Sequence, residues 1–224
     1  MTQIGIPLYK YPTGAQNDPW GYLRKFSNNG RFVGAAVVNP DSGPGKTTDP
    51  VWNETIKRNT RANLRSLCYV DCDYSKQGPL YPTQQGLIWG ELYGNIPGYF
   101  LDDFPTDPDD GIDIILQFRQ RVPTKTLAIN PGLPITTSDI LRQVSYVVAY
   151  EGNYAGFVAQ RENISAELWK KAWILVHGAT QLECFDVWNY CSYRGAKFVW
   201  VSDIPFEYNP WNQLGNLFLE NLVA

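Results

Sequence analysis

Trp173-Ile174-Leu175-Val176-His177 and, further on, Phe198-Val199-Trp200-Val201-Ser202-Asp203 decide the fold. Each run is apolar at every position and then stops on polar or ionisable residues. Runs this short and continuous read as strands buried on both faces, which is the signature of a parallel sheet. Between them residues 181–192 read as a helix that Gly195 ends, so the unit is strand, helix, strand. Working outward, the same unit recurs. Further strands are expected at Ile4–Tyr9, Phe32–Val38, Leu67–Val70, Tyr99–Leu101, Thr126–Ile129 and Tyr146–Tyr150. Helices are expected near 20–27, 51–65, 84–93, 109–120, 138–143 and 164–171, with a last one near 211–223. Thr137-Ser138-Asp139 reads as one N-cap region, and Asn163 as the cap of the helix from Ile164. Eight such units in 224 residues predict an α/β protein, a single (β/α)8 TIM-type barrel spanning residues 1–224. An open doubly wound sheet is the rival, and eight regular units favour closure.

Composition narrows the function. Charged residues are 18% of the chain, against roughly 25% in an average soluble protein. A formal charge of -3 argues against a nucleic-acid binder, which needs a basic face to release counterions. Aromatic residues reach 14%, with eight Trp and fourteen Tyr, which suits stacking on flat apolar ligand faces. No apolar run approaches the roughly 20 residues of a membrane helix, and Met1-Thr2-Gln3-Ile4-Gly5 lacks the basic start of a signal peptide. The expectation is a monomer that touches neither membrane nor nucleic acid, either kept inside its cell or carrying a leader that was trimmed. The four cysteines, Cys68, Cys72, Cys184 and Cys191, form no CxxC and are spaced too far along their elements to bridge, so buried free thiols are expected.

In a barrel the chemistry gathers at the C-terminal ends of the strands. The residues there are Tyr9, Asn39, the Asp71-Cys72-Asp73 run, Asp102-Asp103, Asn130, Glu151, His177 and Asp203. An Asp, Glu or His directly after an apolar run on five strands exceeds what turn chemistry demands. The types present limit the reaction. No GxSxG elbow occurs, and a single histidine, His177, is a poor basis for a zinc site. A carboxylate-bound Mg²⁺ or Ca²⁺ at Asp71/Asp73 or Asp102/Asp103 stays open, although no cofactor or metal is required. Two carboxylates on neighbouring barrel strands are suited to glycoside hydrolysis, one protonating the leaving oxygen while the other attacks or activates water. Asp102 or Asp103 with Glu151 would form that pair. Gly45-Lys46-Thr47 mimics the end of a P-loop, but Pro40 stands where its first glycine belongs, and Pro44 removes a backbone donor.

These residues, in this order, resemble the spherulin-4-type (spherulation-specific) family, grouped with glycoside hydrolase family 135. The motifs are Ile6-Pro7-Leu8-Tyr9 with Tyr11-Pro12, Val38-Asn39-Pro40 with Ser42-Gly43-Pro44-Gly45, Gly98-Tyr99-Phe100-Leu101-Asp102-Asp103, Asn130-Pro131-Gly132 and Tyr150-Glu151-Gly152. The resemblance implies a barrel endo-glycosidase that cleaves α-1,4-linked galactosamine/N-acetylgalactosamine polymers of capsules and biofilms with retention. By position Asp102 resembles its nucleophile, Glu151 its general acid/base and Asp103 a supporting carboxylate, where the family usually has Glu. Tyr9, Asn39, Asp71, Asn130, His177 and Asp203 are then the expected substrate-binding residues, with His177 equally readable as structural. The family's members are secreted or tethered, and a phage- or virus-encoded enzyme released by lysis would reconcile that with the absent leader. A rim collecting Asp71, Asp73, Asp102, Asp103, Glu151 and Asp203 would attract a cationic, partly deacetylated polymer. The alternatives are a non-catalytic carbohydrate-binding barrel and a metal- or phosphate-dependent lyase.

Overall fold

The computed structural model describes residues 1–15, 18–28, 33–124, 126–133 and 137–215. Its strands are β1 (Gln3–Pro7), β2 (Val33–Val38), β3 (Arg65–Asp71), β4 (Tyr99–Asp102), β5 (Leu127–Ile129), β6 (Tyr146–Asn153), β7 (Ala172–His177) and β8 (Phe198–Val201). All pair in parallel in chain order, and β1 also pairs with β8 through Gln3↔Phe198 and Ile4↔Val199. That last pairing closes the sheet, which excludes the open doubly wound arrangement. The fold is a (β/α)8 barrel. Phe32, expected in the second strand, lies outside the described residues.

The helices are α1 (Pro19–Asn28), α2 (Pro50–Arg61), α3 (Leu80–Tyr93), α4 (Pro108–Arg121), α5 (Ser138–Gln143), α6 (Tyr154–Gln160), α7 (Ala166–Trp169) and α8 (Gln181–Arg194). Local chemistry sets their ends. Asp49 accepts from the N–H groups of Val51 and Trp52 ahead of Pro50, and Asp107 does the same for Asp109 and Asp110 ahead of Pro108. Thr180 and Glu183 make a reciprocal capping box, and Gly195 ends α8 at φ 80°, as its position predicted. Between β6 and β7 the helix expected over 164–171 is the short α7, and α6, which the sequence did not suggest, precedes it. α6 follows β6 without a break, capped by Asn153, and Ser165 rather than Asn163 caps α7. The expected last helix falls mostly outside the described residues, and residues 211–215 form none.

Aromatic rings fill the barrel interior. Trp173 packs edge-on against Phe100 at 5.5 Å and at a tilt against Phe198 at 5.2 Å, and Phe198 meets Tyr146 at 4.7 Å. Rings this large on β4, β6, β7 and β8 require space on β1 and β2, which glycines provide. A Cβ on Gly5 would stand 2.7 Å from the Phe198 Cβ and 2.9 Å from Trp173 Cε2, while the indole N–H donates to the Gly5 carbonyl. Gly34 faces Gln3 and Phe198 in the same way. All four cysteines are free and buried, as their spacing implied. No described helix is long and apolar enough to cross a membrane.

Gly5→Ala is therefore expected to overpack the barrel and lower stability by ~1–3 kcal/mol. Thermal unfolding followed by circular dichroism checks this, and an unchanged midpoint would mean the interior has slack.

Candidate active site

At the C-terminal mouth of the barrel lies a cleft of about 410 Å³. Its floor carries Asp102 from the end of β4, Asn130 just after β5 and Glu151 from β6, beside Tyr9, Phe100 and Leu175. Strand parity explains how these side chains meet. Phe100 packs inside the barrel, so Asp102, two residues on, also points inward.

Glu151 reaches the interior by a different route. Val148 pairs with Trp173, an inward residue, whereas Tyr150 pairs with Ile174, and Glu151 pairs with Leu175, which lines the cleft. Three residues, rather than two or four, thus separate the inward positions Val148 and Glu151. The β-bulge between Val148 and Tyr150 makes up the difference. It turns the Tyr150 ring out against Phe157 of α6 and brings Glu151 in. Without it, period-two alternation would exchange the two side chains.

One amide joins the two acids. The Asn130 Nδ2 group donates to Asp102 Oδ1 at 2.8 Å and to Glu151 Oε2 at 2.8 Å. Its Oδ1 accepts from the Gly132 N–H at 3.2 Å, which fixes which end of the amide faces the acids. Both accepting oxygens lie 2.8 Å from one nitrogen, so they are at most twice that, about 5.6 Å, apart. The Tyr69 hydroxyl also lies beside Asp102 and favours its anionic form.

Burial dominates the electrostatics. Asp102 is pushed up to about 7 by desolvation first, then by the charges of Glu151 and Asp103, while the Tyr69 and Asn130 hydrogen bonds pull it down. Glu151 is also raised, by burial and then by Asp103, against the pull of Asn130. Both acids therefore hold their protons to higher pH than a free carboxyl does. Burial and the same carboxylates raise Tyr9 and Tyr69, so both remain neutral hydroxyls. Among the described residues no group of three or more His, Cys, Asp or Glu is placed to hold a metal ion.

The sequence signature of spherulation-specific family 4 matches residues 3–223. The chain belongs to that family. Among solved structures, Sph3 from Aspergillus clavatus, crystallised in complex with GalNAc, superimposes with a TM-score of 0.76 at 20% identity, covering 98% of this chain and 95% of that one. A putative deoxyribose-phosphate aldolase from Coccidioides immitis follows at a TM-score of 0.48 and 11% identity, covering 92% and 82%. Comparison with curated protein sequences gives no match.

Within this member of spherulation-specific family 4, the cleft gathers four of the nine residues expected at the site: Tyr9, Asp102, Asn130 and Glu151. Asp103 follows Asp102 at φ 48°, with its carbonyl accepting from the Tyr74 N–H at 2.8 Å and its charge raising the Tyr74 hydroxyl. It acts on the pair through its charge rather than by lining the cleft. The other four line no part of it. Asn39 Oδ1 caps its own loop through the Gly43 N–H at 2.9 Å, and Asp71 Oδ1 accepts from the Asp73 N–H at 2.8 Å. The His177 ring packs on Phe206 at 5.3 Å, and Asp203 stands beside Gly215. Polar residues at strand ends thus split between the cleft and the building of their own turns.

One whole wall escaped the sequence reading. Phe206, Glu207, Asn209, Pro210 and Trp211 come from the segment after β8, anchored by the Tyr9 N–H donating to the Trp211 carbonyl at 2.8 Å. The cluster Pro205-Phe206-Glu207-Tyr208-Asn209-Pro210-Trp211 was a visible signal, a ring- and proline-rich stretch unfit for a helix. The Tyr69 hydroxyl left no such sign, because its strand reads as core.

A carboxyl raised on folding keeps its stabilising proton at low pH and loses that contribution as pH rises through its folded value. Asp102 therefore costs stability increasingly between about pH 4 and about pH 7. Asp102→Asn is expected to raise the melting midpoint at pH 8 by at least ~2–4 °C, the shift of about 1 kcal/mol in a chain of this size. At pH 4 the gain should vanish. Equal gains at both values would show that charge is not the cause.

Proposed function

We propose that the chain is an endo-acting glycoside hydrolase of retaining mechanism, cleaving α-1,4-linked galactosamine/N-acetylgalactosamine exopolysaccharide. The observation that carries this reading is the spacing of the two half-buried acids. One oxygen of each acid lies within about 5.6 Å of the other, which favours the ~5–5.5 Å of a retaining pair over the ~6.5–9.5 Å of an inverting one. The bound GalNAc of the Aspergillus clavatus structure supports an amino sugar as the ligand class.

In this scheme Asp102 acts as nucleophile. Its carboxylate attacks the anomeric carbon as the bond to the leaving oxygen breaks, and Glu151 delivers its proton to that oxygen. Glu151, now ionised, takes a proton from water. The hydroxide so formed attacks the anomeric carbon, the ester bond to Asp102 breaks, and the pair returns to its one-proton state. Burial makes Asp102 the more strongly raised acid in the free protein, so the scheme requires the proton to lie on Glu151 once a sugar is bound. Tyr69 and Asn130 both favour the anionic form of Asp102, and Asn130 that of Glu151. Phe206 and Trp211 offer flat apolar faces to a sugar ring.

Purified polymer is the direct test. The wild type should release oligosaccharides whose first-formed anomer is retained by NMR, and Asp102→Asn and Glu151→Gln should each lose roughly 10²–10⁴-fold in kcat. Polymer that binds but stays intact would replace the hydrolase with a carbohydrate-binding barrel.

The pH profile tests the pair itself. Activity requires one proton on the two acids, so the alkaline limb should fall near pH 7, as the pair loses that proton. Asn130 lowers the proton affinity of both acids. Removing it in Asn130→Ala should move both limbs to higher pH as well as lowering kcat. A rise in KM with unmoved limbs would instead make Asn130 a sugar contact.

A further inference from the structure

Tyr150 stands one residue before Glu151, and at the β-bulge its ring leaves the barrel to pack on Phe157 of α6 at 5.6 Å. The ring is buried. Its hydroxyl turns forward along its own chain and donates to the Asn153 carbonyl at 2.6 Å. That bond closes a loop around the two residues between, Glu151 and Gly152. Asn153 is held through its side chain as well, because its Oδ1 accepts from the Gly156 N–H at 2.8 Å and so caps α6. One residue thus receives the Tyr150 hydroxyl on its carbonyl and the first turn of α6 on its side chain. Beyond the bulge β6 stays paired with β7 through Glu151↔Leu175, Gly152↔Val176 and Asn153↔His177.

Two glycines make room for that hydroxyl. A Cβ on Gly152 would stand 2.5 Å from the Tyr150 Oη, and one on Gly156 2.4 Å from it. Neither glycine has a positive φ, so backbone conformation does not call for glycine at either position. Gly156 lies in the first turn of α6, where alanine is the better helix former. What the two positions share is the oxygen they leave space for. Packing does not account for the oxygen either, since a phenylalanine ring would meet Phe157 equally well. Glu151 is where a small displacement matters, because its Oε2 sits 2.8 Å from the Asn130 Nδ2 and the ladder is interrupted just before it.

We infer that Tyr150 is a positioning residue whose hydroxyl clasps the backbone around Glu151 and holds that carboxyl on Asn130, facing Asp102. The bulge directs Glu151 into the cleft, and the clasp stops the residues after it from relaxing towards regular alternation. A hydroxyl outside the barrel thereby fixes a carboxyl inside it, through two residues of main chain. Tyr150 lines no part of the cleft, so it acts only through Glu151. The inference rests on the hydrolase reading for its consequence in catalysis, where misplacing a reacting group by about 1 Å can cost on the order of 10²-fold in rate. Its structural part concerns the place of Glu151 and is measurable without activity.

Three variants of the full chain test this: Tyr150→Phe, which removes only the clasping oxygen, Gly156→Ala, which crowds it out, and the two combined. Each is compared with the wild type at a temperature where circular dichroism shows it folded. Tyr150→Phe should lower kcat about tenfold or more while KM stays within about twofold. Gly156→Ala should do the same, although alanine favours the helix. The combined variant should be no worse than Tyr150→Phe alone, because the oxygen that the added methyl would meet has gone. Independently of activity, the Glu151 carboxyl is followed by NMR in protein labelled with ¹³C at glutamate Cδ, its signal assigned by its loss in Glu151→Gln. Asn130 lowers the proton affinity of Glu151, and the facing charges of Asp102 and Asp103 are untouched in these variants. Freed from Asn130, Glu151 should therefore titrate about half a pH unit or more above its wild-type midpoint in both single variants. An unmoved Glu151 midpoint overturns the inference whatever the activity, and if the wild type still cuts polymer the hydrolase stands. Unchanged kcat in Tyr150→Phe, with only a lower melting midpoint, reduces the hydroxyl to a helix anchor and overturns it too, as do additive losses in the combined variant. If the wild type cuts no polymer but the Glu151 midpoint moves as stated, the clasp holds and the hydrolase reading fails.

Discussion

Two half-buried carboxylic acids share the floor of one cleft, and the amide nitrogen of Asn130 bridges them. Its two hydrogen bonds of 2.8 Å limit the separation of the acids, and the Gly132 N–H prevents the amide from turning over. Burial raises both acids, and the amide only partly offsets it. A site that stores charge in this way is less stable than a neutral one, and perturbed carboxyls of this kind cluster at functional sites. The aromatic packing of the lower barrel supplies the rigidity against which that cost is met.

The barrel delivers these groups through strand parity, and parity alone would have failed at β6. Asp102 faces inward because it follows Phe100 by two residues, as alternation requires. Glu151 faces inward because the bulge between Val148 and Tyr150 breaks alternation just before it. The same step sends Tyr150 outward onto α6 and lets α6 begin without an intervening loop. A single irregularity thereby fixes both a reactive group and the helix that covers its strand.

The segment after β8 completes the site in a different manner. It is irregular backbone, tied to the barrel through Tyr9 and Trp211, and it contributes rings and the Glu207 carboxylate where the strands contribute the pair of acids. Such a segment can vary without disturbing the core, whereas the strand ends cannot.

Much of this was legible in the sequence because it depends on local chemistry. Short apolar runs such as Trp173-Ile174-Leu175-Val176, punctuated by Gly195 and the prolines that open α2 and α4, carry the strand–helix rhythm and hence the closed barrel. Asp102, Asn130 and Glu151 stood out because an ionisable or amide group directly after an apolar run is unusual. Asn39, Asp71, His177 and Asp203 stood out for the same reason, and the sequence has no means to separate a residue that lines a cleft from one that bonds to its own turn. That separation depends on distances between strands that are far apart along the chain. So do the bulge that turns Glu151 inward, the bridge through Asn130 and the wall carrying Glu207. The sequence by itself determined the architecture and the kinds of groups at its mouth, since periodicity and turn chemistry act over a few residues. Which of those groups meet was decided only by the tertiary structure, because closing the barrel sets the register of every strand against its neighbours.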